Sequence, residues 1–304
     1  MRRTISALAA AFVALTIAAG CGSTSDTPSS TNTNAGFPVT VGSVTLDKQP
    51  QKIVSLAPSL TEMIFAIDAG RQVVAVDEYS NFPADAPKTD LSGYKPNAEA
   101  IASYSPDLVV VSDDSENIVS QLTALSIPTY VAPAANTLED TYKEITELGT
   151  LTGHSAEATA LVGTMKAELE KLVKDLPKRS KPLTYYYELD NTYYSVTSKT
   201  FIGELFTAAG LVNIADAGNA DNPYPQLSAE TIIKANPDLI FLADTKCCGQ
   251  SAATVAARPG WSGLAAVMNG GVVSLDDDVA SRWGPRVVDL QRIVVEAAAK
   301  APQS

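Results

Sequence analysis

The side chains best suited to catalysis or metal binding are scarce in this 304-residue chain, which holds one histidine and three cysteines. His154 opens an amphipathic stretch and reads as a surface residue. One imidazole cannot build a histidine-rich metal cage, and a Ser-His-Asp triad would need it in a cleft. No GxSxG, GxxxxGK[ST] or GxGxxG pattern is present, so hydrolase, phosphate-loop and dinucleotide signatures are missing. No catalytic group, metal site or cofactor is expected, and the chain does not read as an enzyme. Cys247 and Cys248 are adjacent in Asp244-Thr-Lys-Cys-Cys-Gly249. Neighbouring Cα atoms stand closer than a relaxed disulfide allows, so a bond between the two would be strained. Three readings stand for them: a vicinal disulfide, two free thiols, or soft metal ligands.

Two glutamates carry a different kind of signal. Asn97-Ala-Glu-Ala-Ile101 and Ser105-Pro-Asp-Leu-Val-Val-Val111 in the first half correspond to Ser228-Ala-Glu-Thr-Ile232 and Asn236-Pro-Asp-Leu-Ile-Phe-Leu242 in the second, at one fixed offset of 131 residues. Glu99 falls on Glu230, and Pro106, Asp107 and Leu108 fall on Pro237, Asp238 and Leu239. Each copy predicts a capping residue, a short helix with its glutamate in the first turn, a proline stop and a buried strand. Tyr94 and Tyr224 stand just ahead of the two copies. A carboxylate in a first turn favours the positive helix end, which alone would explain either glutamate. A long period with two copies means two similar lobes.

The elements that must position these residues alternate in type. Strands are expected at Ile53–Leu56, Val73–Val76, Val109–Val111 and Thr129–Val131, then at Thr184–Glu188, Leu239–Leu242 and Val272–Leu275. Helices are expected from Pro58, around Ile118–Leu125 and Glu139–Thr150, at Phe201–Ala208, and at Gly284–Ala299. Such alternation predicts an α/β fold with a parallel sheet in each lobe and ligands at the carboxyl ends of the strands. Between the halves, His154 to Leu176 repeats apolar residues at helical spacing (Leu161, Val162, Met165, Leu169, Leu172, Val173), and Pro177 ends the run. This predicts two lobes with parallel-sheet α/β cores, at 39–153 and 178–304, joined by one long rigid spanning helix at 154–177.

The N-terminus reads as a targeting segment. Arg2 and Arg3 precede an apolar run from Ile5 to Ile17, too short to span a membrane stably. Ala18-Ala19-Gly20-Cys21 resembles the lipobox of bacterial lipoproteins. It implies a signal peptide at 1–20, a diacylated Cys21, and an extracytoplasmic chain anchored to the cell membrane through a flexible tether at 21–38. The formal net charge is −12 with no basic run, which disfavours nucleic acid or anionic lipid as partners.

Ile53-Val-Ser-Leu-Ala-Pro-Ser-Leu-Thr-Glu62, Tyr79-Ser-Asn-Phe-Pro83, Pro223-Tyr-Pro-Gln-Leu-Ser228 and Ser281-Arg-Trp-Gly-Pro-Arg286 together form a recognisable pattern. The chain resembles the periplasmic solute-binding proteins of ABC importers for vitamin B12, ferric siderophores and haem, over about residues 50–300, and looks closest to the vitamin B12-binding subgroup. The resemblance implies a monomer that holds a corrinoid or other metal chelate between its lobes and delivers it to a permease dimer. It implies ligand contacts at Tyr79, Phe82, Tyr94, Tyr224 and Asp278. It also implies that Glu99 and Glu230, on matched outer faces of the lobes, meet the two permease subunits. The chain departs from the subgroup in carrying tyrosines where tryptophans are common, and in adding Arg282, Trp283 and the paired cysteines. Arg282 and Trp283 join the expected ligand contacts. Arg282 and Arg286 suit a ligand carboxylate, which keeps a siderophore or haem as the alternative ligand. An extracytoplasmic enzyme, or a sensory lipoprotein with a protein partner, are the competing functions; turnover would mark the first and an empty or closed cleft the second.

Overall fold

The structure is a computed structural model that describes residues 36–219 and 221–302. The expected leader, Cys21 and most of the tether lie outside the described residues. Strands β1 (Val39–Val41) and β2 (Val44–Leu46) form an antiparallel hairpin that opens the folded part. The first lobe is a parallel sheet of β3 (Ile53–Ser55), β4 (Val73–Val76), β5 (Leu108–Val111) and β6 (Thr129–Val131), in the order β4-β3-β5-β6. The second is a parallel sheet of β7 (Thr184–Glu188), β8 (Val212–Asn213), β9 (Leu239–Leu242) and β10 (Val272–Ser274), in the order β8-β7-β9-β10. The two topologies are the same.

Helices α1 (Pro58–Ala66), α2 (Ala98–Ala102), α3 (Ile118–Ala124) and α4 (Leu138–Thr152) belong to the first lobe, and α5 (Ser155–Lys174) follows. The second lobe adds α6 (Phe201–Ala208), α7 (Ala229–Ala235), α8 (Thr245–Cys248), α9 (Ala252–Ala256), α10 (Ala265–Met268), α11 (Asp277–Ser281) and α12 (Val287–Lys300). The last helix starts three residues later than the sequence predicts, because Gly284 to Arg286 form the turn before it, with the Val287 amide on the Gly284 carbonyl at 3.1 Å.

Strand periodicity decides which residues enter which core. Val54, Val109 and Val111 face one apolar cluster of the first lobe, and Tyr186, Ile240 and Leu242 face one of the second. The alternate residues Ile53, Leu108, Val110, Tyr185, Tyr187 and Phe241 turn to a third cluster shared by both lobes and floored by α4, α5 and α12. The repeat is physical as well as textual. Asp107 accepts the amides of Gln51 and Lys52 at 2.8 and 3.1 Å beside β3, and Asp238 accepts the amide of Thr184 at 2.8 Å beside β7. The Asn97 side chain caps α2 through the Ala100 amide at 2.9 Å, and Ser228 caps α7 through the Thr231 amide at 3.1 Å. Each cap contributes about 1 kcal/mol.

The spanning helix is α5, slightly shorter than expected. His154 is its half-buried cap residue, with Nδ1 3.9 Å from Glu157, and the helix stops before Pro177. Gly153 makes the sharp turn out of α4 with φ of 78°, a left-handed conformation that glycine adopts without strain. Twenty residues make a rod of about 30 Å. Lys166 binds Glu139 of α4 at 2.9 Å and Glu168 meets Arg292 of α12 at 3.3 Å, so a single turn of α5 is tied to both lobes.

Candidate ligand-binding site

A cleft of about 630 Å³ lies between the lobes, at the carboxyl ends of the first-lobe strands. Its floor is the β3–α1 turn, Leu56 to Ser59, with Asp77 after β4, Ser112 and Asp113 after β5, and Pro133 and Ala134 after β6. Asp278, Ser281, Arg282 and Trp283 of the second lobe form the opposite wall.

A buried hydroxyl chain fixes the floor. Thr61 bonds both Ser55 and Ser80 at 2.8 Å, and Ser80 donates to Asp77. Asp77 also accepts the Tyr79 amide at 3.2 Å, which sets the start of the aromatic loop. Burial raises the Asp77 carboxyl above its ordinary value, against the opposing effect of these donors. Gly93 passes so close to the floor that an added Cβ would stand 2.5 Å from the Leu56 carbonyl oxygen. That approach brings Tyr94 beside Tyr79, their rings edge to face with centroids 5.8 Å apart. Both rings are largely exposed, at 54% and 73%.

The far wall is held by ion pairs that cross from lobe to lobe. Glu62, buried in α1, accepts from Arg282 at 2.8 Å and from Arg286 at 2.9 and 2.5 Å. Arg282 also donates to the Tyr79 carbonyl at 3.0 Å and to Asp278 at 2.9 Å. Trp283 gives its indole N–H to Glu144 of α4 at 2.9 Å, and its carbonyl accepts from Thr141 at 2.9 Å. Burial pushes the Glu144 carboxyl up to about 7, with the indole donor opposing and Asp140 and Glu147 adding to it.

The expected site residues therefore divide. Tyr79, Tyr94, Asp278, Arg282 and Trp283 come together around the cleft. Arg282 is not available to a ligand carboxylate as expected, since Glu62, Asp278 and the Tyr79 carbonyl occupy its guanidinium and leave it 8% exposed. Arg286, the other expected partner of a ligand carboxylate, is likewise bound to Glu62. Phe82 and Tyr224 are not part of the cleft lining. The Phe82 ring lies under the Arg286 guanidinium at 4.4 Å, and Tyr224 is half exposed on a segment paired with Tyr194, Ser195 and Thr197. Glu99 and Glu230 are each the second residue of their helices, exposed, with no side-chain partner among the described residues. Cys247 and Cys248 are free, exposed thiols in α8 and not the disulfide that was one reading. A helical peptide holds adjacent Cα atoms about 3.8 Å apart, below disulfide range. The Cys248 thiol, burial and nearby carboxylates push Cys247 up to about 12.

Sequence reasoning missed Glu62, Asp77 and Asp113. Glu62 had a signal, as the one acid in the apolar helix PSLTEMIFA. Asp113 had another, since the 131-residue offset places it on Asp244.

The sequence profile described as "Periplasmic binding protein" matches residues 53–279. An uncharacterized ABC transporter substrate-binding lipoprotein, YvrC of Bacillus subtilis, is 30% identical over 309 residues, covering 95% of each chain. A cobalamin-binding protein of Halobacterium salinarum is 28% identical, covering 91% of this chain and 79% of that one. Among solved structures, the periplasmic vitamin B12 binding protein BtuF of Vibrio cholerae superposes with a TM-score of 0.67 at 26% identity, over 82% of this chain and 96% of that one. With one profile reaching through both lobes and a relative matched almost end to end, the chain belongs to the periplasmic binding protein family and is a substrate-binding protein of the kind that serves ABC importers.

Proposed function

We propose that the protein captures a corrinoid of the vitamin B12 type in this cleft and delivers it to the permease of an ABC importer. The observation that carries the ligand class is the charge of the lining. Asp77, Asp113 and Asp278 face the cleft, and Arg282, the one cation among its lining residues, is already paired. A corrin ring is a large, rigid disc whose rim of primary amides offers N–H donors to carboxylates, while Tyr79 and Tyr94 cover apolar surface. A neutral or cationic ferric siderophore meets the same requirements and is the second reading. Haem, with two propionates, would meet Asp77 and Asp113, which no cation neutralises, and no free cation among the described lining residues. The cobalamin-binding relatives support the first reading.

Glu99 and Glu230 serve in docking. They occupy matched positions on matched helices, so they suit a partner with its own two-fold axis, and neither has a side-chain partner among the described residues. Acylation of Cys21 would hold the protein, as a monomer, at the outer side of the cell membrane near that permease. One experiment separates binding from delivery: labelled cyanocobalamin is offered to the full-length chain in vitro and to cells that carry its permease. Glu99→Lys with Glu230→Lys should keep the affinity and abolish uptake. Uptake that survives contradicts the docking role, and wild-type protein that binds no cyanocobalamin contradicts the corrinoid.

A further inference from the structure

Asp278 stands where the two lobes and two cations meet. Its Oδ1 accepts from Arg282 at 2.9 Å. Its Oδ2 accepts from Lys246 Nζ at 2.8 Å and from Asn81 of the first lobe at 3.0 Å. Lys246 is also bound by Asp276 at 2.7 Å. Together with Glu62 and Arg286, this rim sets three carboxylates against three cations. Asp277 does not change that balance at the cleft, because its carboxylate is turned to the amides of Thr245, Lys246 and Cys247. Burial alone would raise the Asp278 carboxyl, but Lys246, Asn81 and Arg282 outweigh it and hold it below its ordinary value, so it stays ionised. The remaining charges of the lining, Asp77 and Asp113, are negative.

Without Asp278, Arg282 of the cleft lining and Lys246 beside it each lose a partner, as does Asn81. We propose that Asp278 is a specificity-determining residue. By holding Arg282 and Lys246 it keeps both from pairing with ligand carboxylates, so the cleft selects neutral or cationic chelates and rejects anionic ones. This rests on the cleft being the solute site and not on the solute being a corrinoid. Charge rejection of this kind acts by leaving a ligand's charged groups desolvated without partners.

The test titrates the full-length chain with hemin, a flat dianionic chelate, and with cyanocobalamin. Asp278→Asn should bind hemin at least about tenfold more tightly than wild type, about 1.4 kcal/mol. High salt should reduce that gain, since the freed Lys246 is exposed and screened. Adding Tyr79→Ala should also remove it, because the gained site is the cleft. Unchanged hemin affinity in a normally folded Asp278→Asn overturns the proposal. So does a gain that ignores salt or survives Tyr79→Ala. Should Asp278→Asn fail to fold, Asp278→Ser removes the same carboxylate from both cations at a partly exposed position. It should shift hemin affinity the same way, and no shift there overturns the proposal equally. If cyanocobalamin binds no variant, the corrinoid reading fails while the hemin comparison still decides the role of Asp278.

Discussion

Asp113 and Asp244 occupy equivalent places, one strand end in each lobe, and have opposite surroundings. Asp113 is exposed at the cleft, accepting the Ser115 amide at 2.8 Å. Asp244 is wholly buried, and neither of its carboxylate oxygens has a hydrogen-bond partner among the described residues. Burial, and then the charge of Glu188, push it up to about 7. Around it the second lobe is plugged. Arg258 grips Glu188 through two bonds of 2.6 Å, bonds Gln250 at 2.7 Å, and lies 4.6 Å from the Trp261 ring centre. The first lobe leaves the corresponding strand ends open as the cleft floor. The repeat is thus kept in sheet order, caps and outer glutamates, where a two-fold partner would meet it, and is broken where the ligand would sit.

The largest expected effect tests whether the plug is structural. Glu188→Ala leaves Arg258 largely buried without its carboxylate, and should cost about 3–5 kcal/mol in denaturant unfolding. Asp113→Ala, at the equivalent face of the first lobe's strand ends, should fall within about 0.5 kcal/mol of wild type. Equal costs would erase the contrast between the lobes.

A smaller effect comes from Asp244 itself. Its folded-state pKa lies above the unfolded value near 4. Between that value and about 7 the folded form keeps a proton that the unfolded form has lost. The stability from that proton is fully present below the unfolded pKa and disappears as pH rises through about 7. Asp244→Asn, which carries no charge at any pH, should therefore gain about 1–3 kcal/mol over wild type as pH rises from about 4 to about 8. A gap that does not vary with pH would remove the buried carboxylate as its cause.

Much of this was legible in the sequence, for reasons that particular residues make clear. The strands β5 and β9 are runs of apolar residues fixed by the Pro-Asp before them, and the α2 and α7 caps are the Asn and Ser that local hydrogen bonding favours. The spanning helix announced itself by period. The ion pairs between the lobes did not, since Arg282 and Glu62 are 220 residues apart and no local pattern links them. Helices α8 to α11 are four or five residues long, too short to show a period. Phe82 and Tyr224 followed an aromatic pattern, but an aromatic ring serves a guanidinium as readily as a ligand, and Arg286 lies over Phe82.

The central claim, that the open first-lobe floor and its tyrosines hold the ligand, is tested most directly by calorimetric titration of cyanocobalamin into the full-length wild type, Tyr79→Ala and Tyr224→Ala. The account predicts saturable binding by wild type, a loss of about 1–3 kcal/mol in Tyr79→Ala, and a smaller loss in Tyr224→Ala, which lies outside the cleft lining. Wild-type affinity in Tyr79→Ala, with the main loss in Tyr224→Ala, would contradict it.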